Sequence, residues 1–568
     1  MKTSRRFLGL ALIVFITVGL VSYPFGDRLG DVEEFRGAEL KASVFYPLIA
    51  GNVNSQGLLG LRIDGKPEAA DAGGLFLDGG MNVLSSLSFI RNVFSASAAN
   101  YKDGRVRIDR NYTTVNLTLG SKKGMKDGDE IELKEEPAVY NGQCYISLSD
   151  AAALFGYGYS FDRESMTVSL DSTTAEKPML RKSFDLRKLG RVSKIRDQGS
   201  LSACWAFAAV SALESSRLPD DDTRFSADYL ANHNTYGITD KDAGSYMTAV
   251  STMLSWRGPV KKNESEPACH LQEVHFYNND DIDAVKWAVF KNGGVSTSLY
   301  ADIDSSDLSG SGLYNPANNS YYYNGSNAPN HDVVIIGWDD NFPARYFGKK
   351  APGNGAFICQ NSWGDDFGDK GVFYVSYYDT NIANNAVSYV KSENTDNYDR
   401  IYQTDMLGEV GQIGFGNDTV MAANVYTAKT DENLSAVGFY TIGKNTEYKV
   451  YTVSDFTDTG SFGDRVLKAE GTLSDIGYYT IPIKEPMELR PNENFAVVVY
   501  LKTPGSKQPM AIEGRMTDAS KKAIITDGTG YISPDGISWT RSETDYNANL
   551  CLKAYSVIRQ TDSKGDVR

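Results

Sequence analysis

One short segment, residues 203–214 with the sequence ACWAFAAVSALE, restricts how the central part of the chain can fold. Alanine is the strongest helix former, and large apolar side chains recur here at helical spacing, so the segment predicts a buried helix. Cys204 falls in the first turn of that helix, where unpaired backbone N–H groups and the helix dipole favour a thiolate. We therefore expect a reactive cysteine at the start of a buried helix.

The length and the charge of the chain exclude several classes of protein. With 568 residues, the chain is long enough for roughly three or four folded units. Asp and Glu number 72 against 57 Lys and Arg, so the net charge of -15 repels phosphate backbones and argues against nucleic acid as a partner. The 5 cysteines are scattered along the chain, which is not the pattern of a disulfide scaffold.

The N-terminus has the pattern of a targeting segment. Lys2, Arg5 and Arg6 precede an uncharged apolar run over residues 7–21, which suits a signal peptide but is short for a membrane span. Residues 1–22 are therefore expected to act as a signal peptide or as an uncleaved anchor. The protein is predicted to be secreted or held at the cell surface, with contact to a membrane only through such an anchor.

Beyond residue 22, three folded regions are predicted. Residues 57–171 contain a weak duplication of turn, strand, helix and strand, which predicts a small α+β module. A polar stretch, 172–182, is typical of a linker. Residues 183–392 carry the candidate chemistry, and residues 398–558 contain strand-like segments separated by turn residues, which predict a β-sandwich. A polar tail, 559–568, follows.

Three further residues complete a candidate catalytic set around Cys204. Gln198 lies on a tight loop before the helix and offers an amide donor for an oxyanion, beside the Cys204 backbone N–H. His331 opens an apolar strand and is the best base among the 4 histidines of the chain. Asn361 follows the next apolar strand and can orient the histidine ring, with Trp363 shielding their hydrogen bond from water. Together these residues predict a cysteine nucleophile with its base, orienter and oxyanion donor.

These motifs resemble the signatures of the papain-like cysteine peptidases, in order and at compatible spacing. The matching segments are 184–187, 198–200, 204–207, 331–338 and 361–364. The resemblance implies an α+β, two-lobed peptidase domain over 183–392 and cysteine endopeptidase activity on a protein or peptide substrate. It also implies that Gly244 lies on the edge that binds the substrate backbone, and that Trp205 and Trp363 support the site.

The two flanking regions also resemble known modules. Residues 57–171 are similar to the N-terminal domain of copper amine oxidases, yet they contain no histidine to hold copper. Residues 398–558 are similar to the lectin-like domain of clostridial surface-layer-processing cysteine peptidases. This second resemblance implies a cell-surface glycan as a candidate partner and surface or extracellular proteins as substrates. The aromatic residues with which the sandwich could stack on sugars are Tyr478, Tyr479, Tyr531 and Trp539.

The central region departs from the papain pattern at two positions. Leu201 stands where papain has a disulfide-forming cysteine three residues before the nucleophile, so that disulfide is expected to be absent. Asp332 follows the histidine where papain has a small apolar residue, and it could raise the pKa of His331 or cap the strand.

Two other clusters suggest metal sites, but each has a simpler interpretation. Cys269, His270 and His275 have zinc-ligand chemistry without a second cysteine pair, so a loop cluster is favoured. Residues 278–283, NNDDID, lack the glycine and the closing glutamate of a calcium loop, so a solvated helix cap is favoured. No metal and no cofactor are therefore expected.

Two alternatives to a peptidase remain at this point. A surface glycan-binding adhesin would keep the peptidase domain in an inactive form and use its sandwich. An acyl transferase would use the same catalytic residues but pass the acyl group to an amine instead of water. The complete catalytic set argues against the first alternative, and the residues do not decide the second.

Overall fold

The computed structural model describes residues 59–67, 74–140, 143–302, 312–525 and 529–559. The predicted signal segment, 1–22, and all but the first residue of the predicted tail lie outside them. The chain divides into two compact units, Met1–Pro178 and Met179–Arg568. No helix within the described ranges is long and apolar enough to cross a membrane.

The first unit is built from two copies of one arrangement. A strand (Val83–Ser86) runs into a helix (Leu87–Val93), and a second strand (Gln143–Ser147) runs into a second helix (Leu148–Phe155). Ser86 and Ser147 cap the two helices by accepting hydrogen bonds from backbone N–H groups in the first turn. The two strands pair antiparallel in one sheet, so the repeated sequence corresponds to a repeated structure.

Within the described residues of this first unit there are thirteen strands and two α-helices, and the strands form sheets of four, four and five. They are β1 (Gly60–Ile63), β2 (Lys66–Pro67), β3 (Leu75–Leu77), β4 (Val83–Ser86), α1 (Leu87–Val93), β5 (Ser97–Asn100), β6 (Arg105–Arg110), β7 (Thr113–Thr118), β8 (Lys123–Lys126), β9 (Asp129–Glu132), β10 (Ala138–Tyr140), β11 (Gln143–Ser147), α2 (Leu148–Phe155), β12 (Gly158–Asp162) and β13 (Thr167–Asp171). One apolar core, which includes Phe94, Ile108, Ile146 and Phe155, fills the unit.

The second unit begins with the two-lobed arrangement of a papain-like fold. One lobe is mainly helical and the other contains the sheet that carries His331, as the resemblance implied. The elements are β14 (Ser183–Asp185), α3 (Cys204–Arg217), α4 (Ala227–Asn232), α5 (Tyr246–Leu254), β15 (His270–Tyr277), α6 (Ile282–Asn292), β16 (Val295–Leu299), β17 (Tyr314–Asn315), β18 (Ser320–Tyr321), β19 (His331–Asp339), β20 (Ala356–Gln360), β21 (Val372–Ser376) and β22 (Ala386–Glu393). The predicted helix at 203–214 and the predicted strand after His331 are both confirmed.

The rest of the second unit is a β-sandwich, as predicted. Its elements are β23 (Arg400–Tyr402), β24 (Gly411–Ile413), β25 (Thr419–Thr427), β26 (Glu432–Thr441), β27 (Thr446–Val453), β28 (Val466–Leu473), β29 (Ile476–Leu489), β30 (Asn494–Lys502), β31 (Met510–Gly514), β32 (Gly530–Ser533), β33 (Thr540–Arg541), α7 (Ser542–Asp545), β34 (Ala548–Leu550) and β35 (Leu552–Ile558). A sheet of six strands in the order β28-β27-β30-β25-β32-β33 forms one layer, and its inner face packs on a core that includes Phe439 and Phe495.

The other layer of the sandwich continues the sheet of the peptidase region. Strand β15 pairs with β22 on one side and with β29 on the other, which joins the two regions in a sheet of 13 strands. Tyr440, Tyr478 and Cys551 of the sandwich belong to the same apolar core as Trp205 and Leu213 of the peptidase region. The two regions therefore share both a sheet and a core.

The predicted linker is hydrogen-bonded at both ends. Near its start, Arg110 and Asn111 of the first unit donate to the carbonyl oxygens of Glu176 and Lys177. Near its end, the indole N–H of Trp338 donates to the Arg181 carbonyl at 2.9 Å. The backbone N–H of Asp340 donates to Lys182 in the same way.

A glycine at the junction of β15 and β29 offers a test of this shared sheet. A Cβ atom at Gly477 would lie 2.1 Å from the Val274 carbonyl oxygen, so Gly477→Ala must push the two strands apart. We expect the variant to lose about 1–3 kcal/mol of unfolding free energy, measured by urea denaturation of the full chain. Gly463→Ala is the matched control, because its Cβ would meet no atom within 4 Å. Equal stability of the two variants would contradict a tight junction.

Candidate active site

The nucleophile candidate, Cys204, is the first residue of α3. The helix is buried from Trp205 to Ser215, so its N-terminus is held inside the second unit. Ala203 precedes the helix and provides no side-chain cap, which leaves N–H groups of the first turn free to act on a ligand or on the thiol. Cys204 is half-buried, whereas Cys269, Cys359 and Cys551 are free but fully buried. Cys204 is thus the thiol that a substrate can reach.

The base candidate, His331, begins β19 and is held from two sides. Its Nε2 atom lies 2.7 Å from Oδ1 of Asn361, which comes directly after the neighbouring strand β20. The Trp363 indole stacks on the imidazole at 4.7 Å between ring centroids, so it covers this hydrogen bond. His331 and Asn361 are 7% and 3% exposed. In this geometry the Nε2–H group of His331 donates to the Asn361 amide oxygen. The other ring nitrogen, Nδ1, can then accept a proton from another group.

Helix α3, which begins at Cys204, packs against β19, which begins at His331. The backbone N–H of Asp332, the next residue in β19, interacts with the Cys204 thiol and lowers its pKa. Burial and the negative charge of Asp332 act in the opposite direction and dominate, so the pKa of Cys204 rises to about 12. Burial also lowers the pKa of His331 to about 4, although Asn361 opposes this change.

Two expectations about these pKa values are therefore wrong for this structure. The thiolate is not favoured by the N-terminus of α3, because desolvation of the charged form outweighs the backbone N–H groups. Asp332 does not raise the pKa of His331, since only burial and Asn361 contribute there; its charge acts on Cys204 instead. Both shifts favour a resting pair of neutral thiol and neutral imidazole.

Gln198 lies on a loop that is attached to the segment after Asn361. The Gln198 backbone N–H donates to the Ser362 carbonyl at 2.8 Å, and the Ser362 hydroxyl donates to Oε1 of Gln198 at 2.6 Å. Nε2 of Gln198 donates one of its two protons to the Leu201 carbonyl at 2.8 Å, so its second proton is available to a ligand. The side chain is thus fixed in orientation, as an oxyanion donor needs to be.

A buried ion pair fixes this loop to α3. Glu214, in the third turn of the helix, binds the Arg196 guanidinium at 2.5 Å and also accepts the Phe225 backbone N–H at 2.7 Å. Arg196 in turn accepts, through its carbonyl oxygen, the Gly364 N–H at 3.0 Å. The helix, the Gln198 loop and the Asn361 loop are therefore connected through the Glu214 carboxylate, which also pairs with Arg224 at 3.2 Å. The sequence alone did not indicate these contacts.

The proposed substrate edge, Gly244, lies directly against Trp205. A Cβ atom at position 244 would come within 2.4 Å of the Trp205 indole, so this close contact requires glycine. Trp205 itself is 2% exposed and belongs to the central core. Gly244 is half-buried between exposed neighbours, so its backbone is accessible from outside while its position is set by the indole.

The other candidate clusters have structural roles. His270 and His275 lie in strand β15 and not in a loop: His270 stacks on Trp256, and His275 bonds Glu273 at 2.7 Å. Asp281 caps α6, as favoured for the segment 278–283. Within the described residues, no group of three or more acidic, histidine or cysteine side chains is arranged to hold a metal ion.

Of the four sandwich aromatics considered for sugar stacking, Tyr478 and Tyr479 are buried, whereas Tyr531 and Trp539 are half-buried. Tyr478 is fully buried and bonds the Tyr555 hydroxyl at 2.6 Å, and Tyr479 is 6% exposed. Tyr531 and Trp539 pack on Phe462, with the indole ring centroid 4.2 Å from that of the phenyl ring. Because Tyr478 and Tyr479 are buried, they form no sugar-stacking surface, and this part of the prediction is wrong.

Comparison with known proteins agrees with this architecture. Residues 180–390 match the family model described as papain family cysteine protease, residues 401–556 match the lectin like domain, and residues 77–170 match the copper amine oxidase N-terminal domain. Two solved structures of Cwp84, a surface layer associated clostridial cysteine protease with a lectin-like domain, superpose with TM-scores of 0.58 and 0.57. The first structure is 23% identical in sequence, and the match covers 66% of this chain and 99% of the Cwp84 chain. The second is 22% identical, and the match covers 67% of this chain and 89% of the Cwp84 chain.

Two curated relatives each match about a third of this chain. Cathepsin J of Rattus norvegicus is 26% identical over 210 residues, which is 34% of this chain and 59% of the relative. Cathepsin S of Mus musculus is 30% identical over 207 residues, 33% of this chain and 56% of the relative. The chain thus spans somewhat more than half the length of these relatives.

The ion pair that holds the Gln198 loop can be tested by a conservative change. Glu214→Gln keeps the shape of the side chain but leaves the charges of Arg196 and Arg224 without their shared counter-charge. We expect a loss of about 3 kcal/mol in unfolding free energy, measured by urea denaturation. Glu264→Gln, at an exposed carboxylate, is the control and should change stability little. A Glu214→Gln variant as stable as this control would show that the ion pair does not hold the loop.

Proposed function

Residues 180–390 form a papain-family domain, and on that premise we propose that the chain is a cysteine endopeptidase that hydrolyses peptide bonds with Cys204 as nucleophile. His331 serves as general base and then as general acid, and Asn361 orients its ring. Gln198 stabilises the oxyanion. The observation that carries the proposal is the buried hydrogen bond of 2.7 Å between His331 and Asn361, under Trp363, beside the accessible thiol at the start of α3.

Attack on the substrate begins from the neutral pair. The thiol proton moves to Nδ1 of His331 as Sγ of Cys204 bonds to the peptide carbonyl carbon, so that charge develops only when the carbonyl is in place. The raised pKa of the thiol and the lowered pKa of the imidazole both disfavour charge separation before that moment. Asn361 accepts the Nε2–H throughout and stabilises the imidazolium that forms.

The carbonyl oxygen becomes an oxyanion, and we assign two donors to it. One is the second Nε2 proton of Gln198, and the other is the backbone N–H of Cys204 at the uncapped helix terminus. Collapse of the tetrahedral intermediate breaks the C–N bond, and the imidazolium gives its proton to the departing amine. A thioester on Cys204 remains, and water that His331 deprotonates hydrolyses it and regenerates the thiol.

The substrate class follows from the expected location and from the accompanying domain. We place the enzyme outside the cytoplasm, because of the N-terminal targeting pattern, and we propose surface or extracellular proteins as its substrates. Gly244 offers backbone groups to an extended peptide. The lectin-like domain, which shares a sheet with the peptidase domain, suits attachment to a cell-surface glycan, although not through the buried Tyr478 and Tyr479.

Labelling and turnover measured together test the nucleophile. An epoxide inactivator selective for cysteine peptidases should modify Cys204, located by mass spectrometry, because the other thiols are buried. Cys204→Ala should lose both the label and the hydrolysis of a denatured protein substrate. Cys359→Ala, at a buried thiol two residues before Asn361, is the matched control and should keep the label on Cys204.

Other outcomes of this experiment point to the alternatives. Labelling without hydrolysis, together with product formation when an amine is added, would indicate an acyl transferase. Neither labelling nor turnover would contradict the peptidase and leave glycan binding by the sandwich as the function to measure. Hydrolysis that persists in Cys204→Ala would exclude Cys204 as the nucleophile.

The pH profile tests the role of Asn361. In the wild type, activity should fall on the acid side as His331 is protonated, with a pKa of about 4. Since the hydrogen bond to Asn361 raises the pKa of His331, Asn361→Ala should move this acid limb to lower pH. The maximal kcat/KM should fall by about tenfold or more, because the ring loses its orientation. Asn394→Ala, at an exposed position, is the control. A shift of the acid limb to higher pH would contradict this role.

A further inference from the structure

A half-buried carboxylate, that of Asp332, lies beside the nucleophile without a cation to balance it. Burial raises the pKa of Asp332 to about 6, and a hydrogen bond from the Ser298 side chain opposes the rise; no cation from the described part of the chain contributes. The backbone N–H of the same residue interacts with the Cys204 thiol, so the carboxylate belongs to the immediate surroundings of the reacting sulfur.

The residues around Asp332 form a polar site on one face of the sheet. Asp332 pairs with Ser298 in the register of β19 and β16, and Ser296 lies two residues from Ser298, so the three side chains point to the same face. Tyr389 of β22 is close enough for the charge of Asp332 to raise its pKa. We call these four residues the acidic site; Asp332 and Ser298 are its two half-buried, accessible members.

An unbalanced carboxylate at this place is unfavourable in two ways. A charge removed from water without a counter-charge costs free energy. The same charge raises the pKa of the Cys204 thiol, which opposes formation of the nucleophile. A cation bound at Asp332 would offset both effects, and the titratable groups that face the carboxylate, Cys204 and Tyr389, supply none.

We propose that Asp332 is a specificity-determining residue that binds the protonated side chain of a lysine or arginine of the substrate, close to the scissile bond. This inference rests on the proposed peptidase activity, whose substrate class it narrows. The guanidinium or ammonium N–H groups donate to the carboxylate oxygens, and the Ser298 hydroxyl is a further acceptor within the acidic site. The location beside Cys204 places the basic residue next to the bond that is cleaved.

A bound cation also assists the reaction. When the substrate neutralises Asp332, the charge that raises the pKa of Cys204 is compensated, so proton transfer to His331 becomes easier in the occupied cleft. A basic substrate should therefore gain in kcat as well as in KM, whereas a site that only binds would change KM alone.

Matched peptides test the proposal. In one set each position around the scissile bond carries arginine, and in the other it carries citrulline, which has nearly the same shape without the charge. At neutral pH, above the pKa of Asp332, the wild type should cleave the arginine peptide about tenfold faster in kcat/KM at one position. Asp332→Asn should bring this ratio close to one. Asp365→Asn, at an exposed carboxylate after Trp363, is the control and should leave the ratio unchanged.

Binding to Cys204→Ala, which keeps Asp332, makes the result independent of catalysis. This variant should bind the arginine peptide about tenfold more tightly than the citrulline peptide in calorimetry. Equal rates and equal affinities for the two peptides at every position would overturn the proposal, as would an unchanged ratio in Asp332→Asn. If Asp332→Asn is inactive or unfolded, the affinities of Cys204→Ala decide. Absence of wild-type hydrolysis of all peptides would contradict the peptidase and not the acidic site, which the affinities still test.

Discussion

The packing of α3 inside the second unit is the constraint on which the site depends. Because the helix is buried from Trp205 to Ser215, its N-terminus cannot move without disturbing the core that the peptidase and sandwich regions share. Glu214 of this rigid helix binds the Arg196 side chain. Arg196 lies on the loop that carries Gln198, and its carbonyl oxygen accepts a hydrogen bond from the loop that carries Asn361. A buried charge pair is a poor source of net stability, but it penalises any displacement strongly. The oxyanion donor and the orienting amide are thereby positioned from a single helix.

Desolvation dominates the electrostatics of the site. The helix N-terminus and three backbone N–H groups act to stabilise a thiolate, yet burial and Asp332 together outweigh them. The same burial keeps His331 neutral and therefore available as a base. In our proposal, the Cys204 thiol and the His331 imidazole therefore stay neutral until a substrate binds. The substrate then provides the carbonyl oxygen that becomes the oxyanion, and a cation. The Trp363 indole contributes by excluding water from the His331–Asn361 hydrogen bond, which is stronger in a medium of low polarity.

The continuous sheet relates the lectin-like sandwich to the peptidase domain. A flexible tether would leave a binding domain free to reorient, whereas β15 is hydrogen-bonded to β22 on one edge and to β29 on the other. Backbone pairing of this sort, supported by shared apolar packing of Tyr478, fixes the direction of the cleft relative to the sandwich.

The sequence by itself determined the local elements and the identity of the catalytic candidates. Helical spacing around Cys204, the apolar run after His331 and the alternation in the sandwich strands are local patterns, and local patterns decide secondary structure. The tertiary structure alone decided which charges meet. Glu214 and Arg196 are 18 residues apart, Asp332 reaches Cys204 across two elements, and β15 joins β29 from the other region. Which distant segments pair depends on the three-dimensional fold. The desolvation that shifts a pKa likewise depends on the atoms that surround the residue in space, and a local sequence pattern does not contain this information.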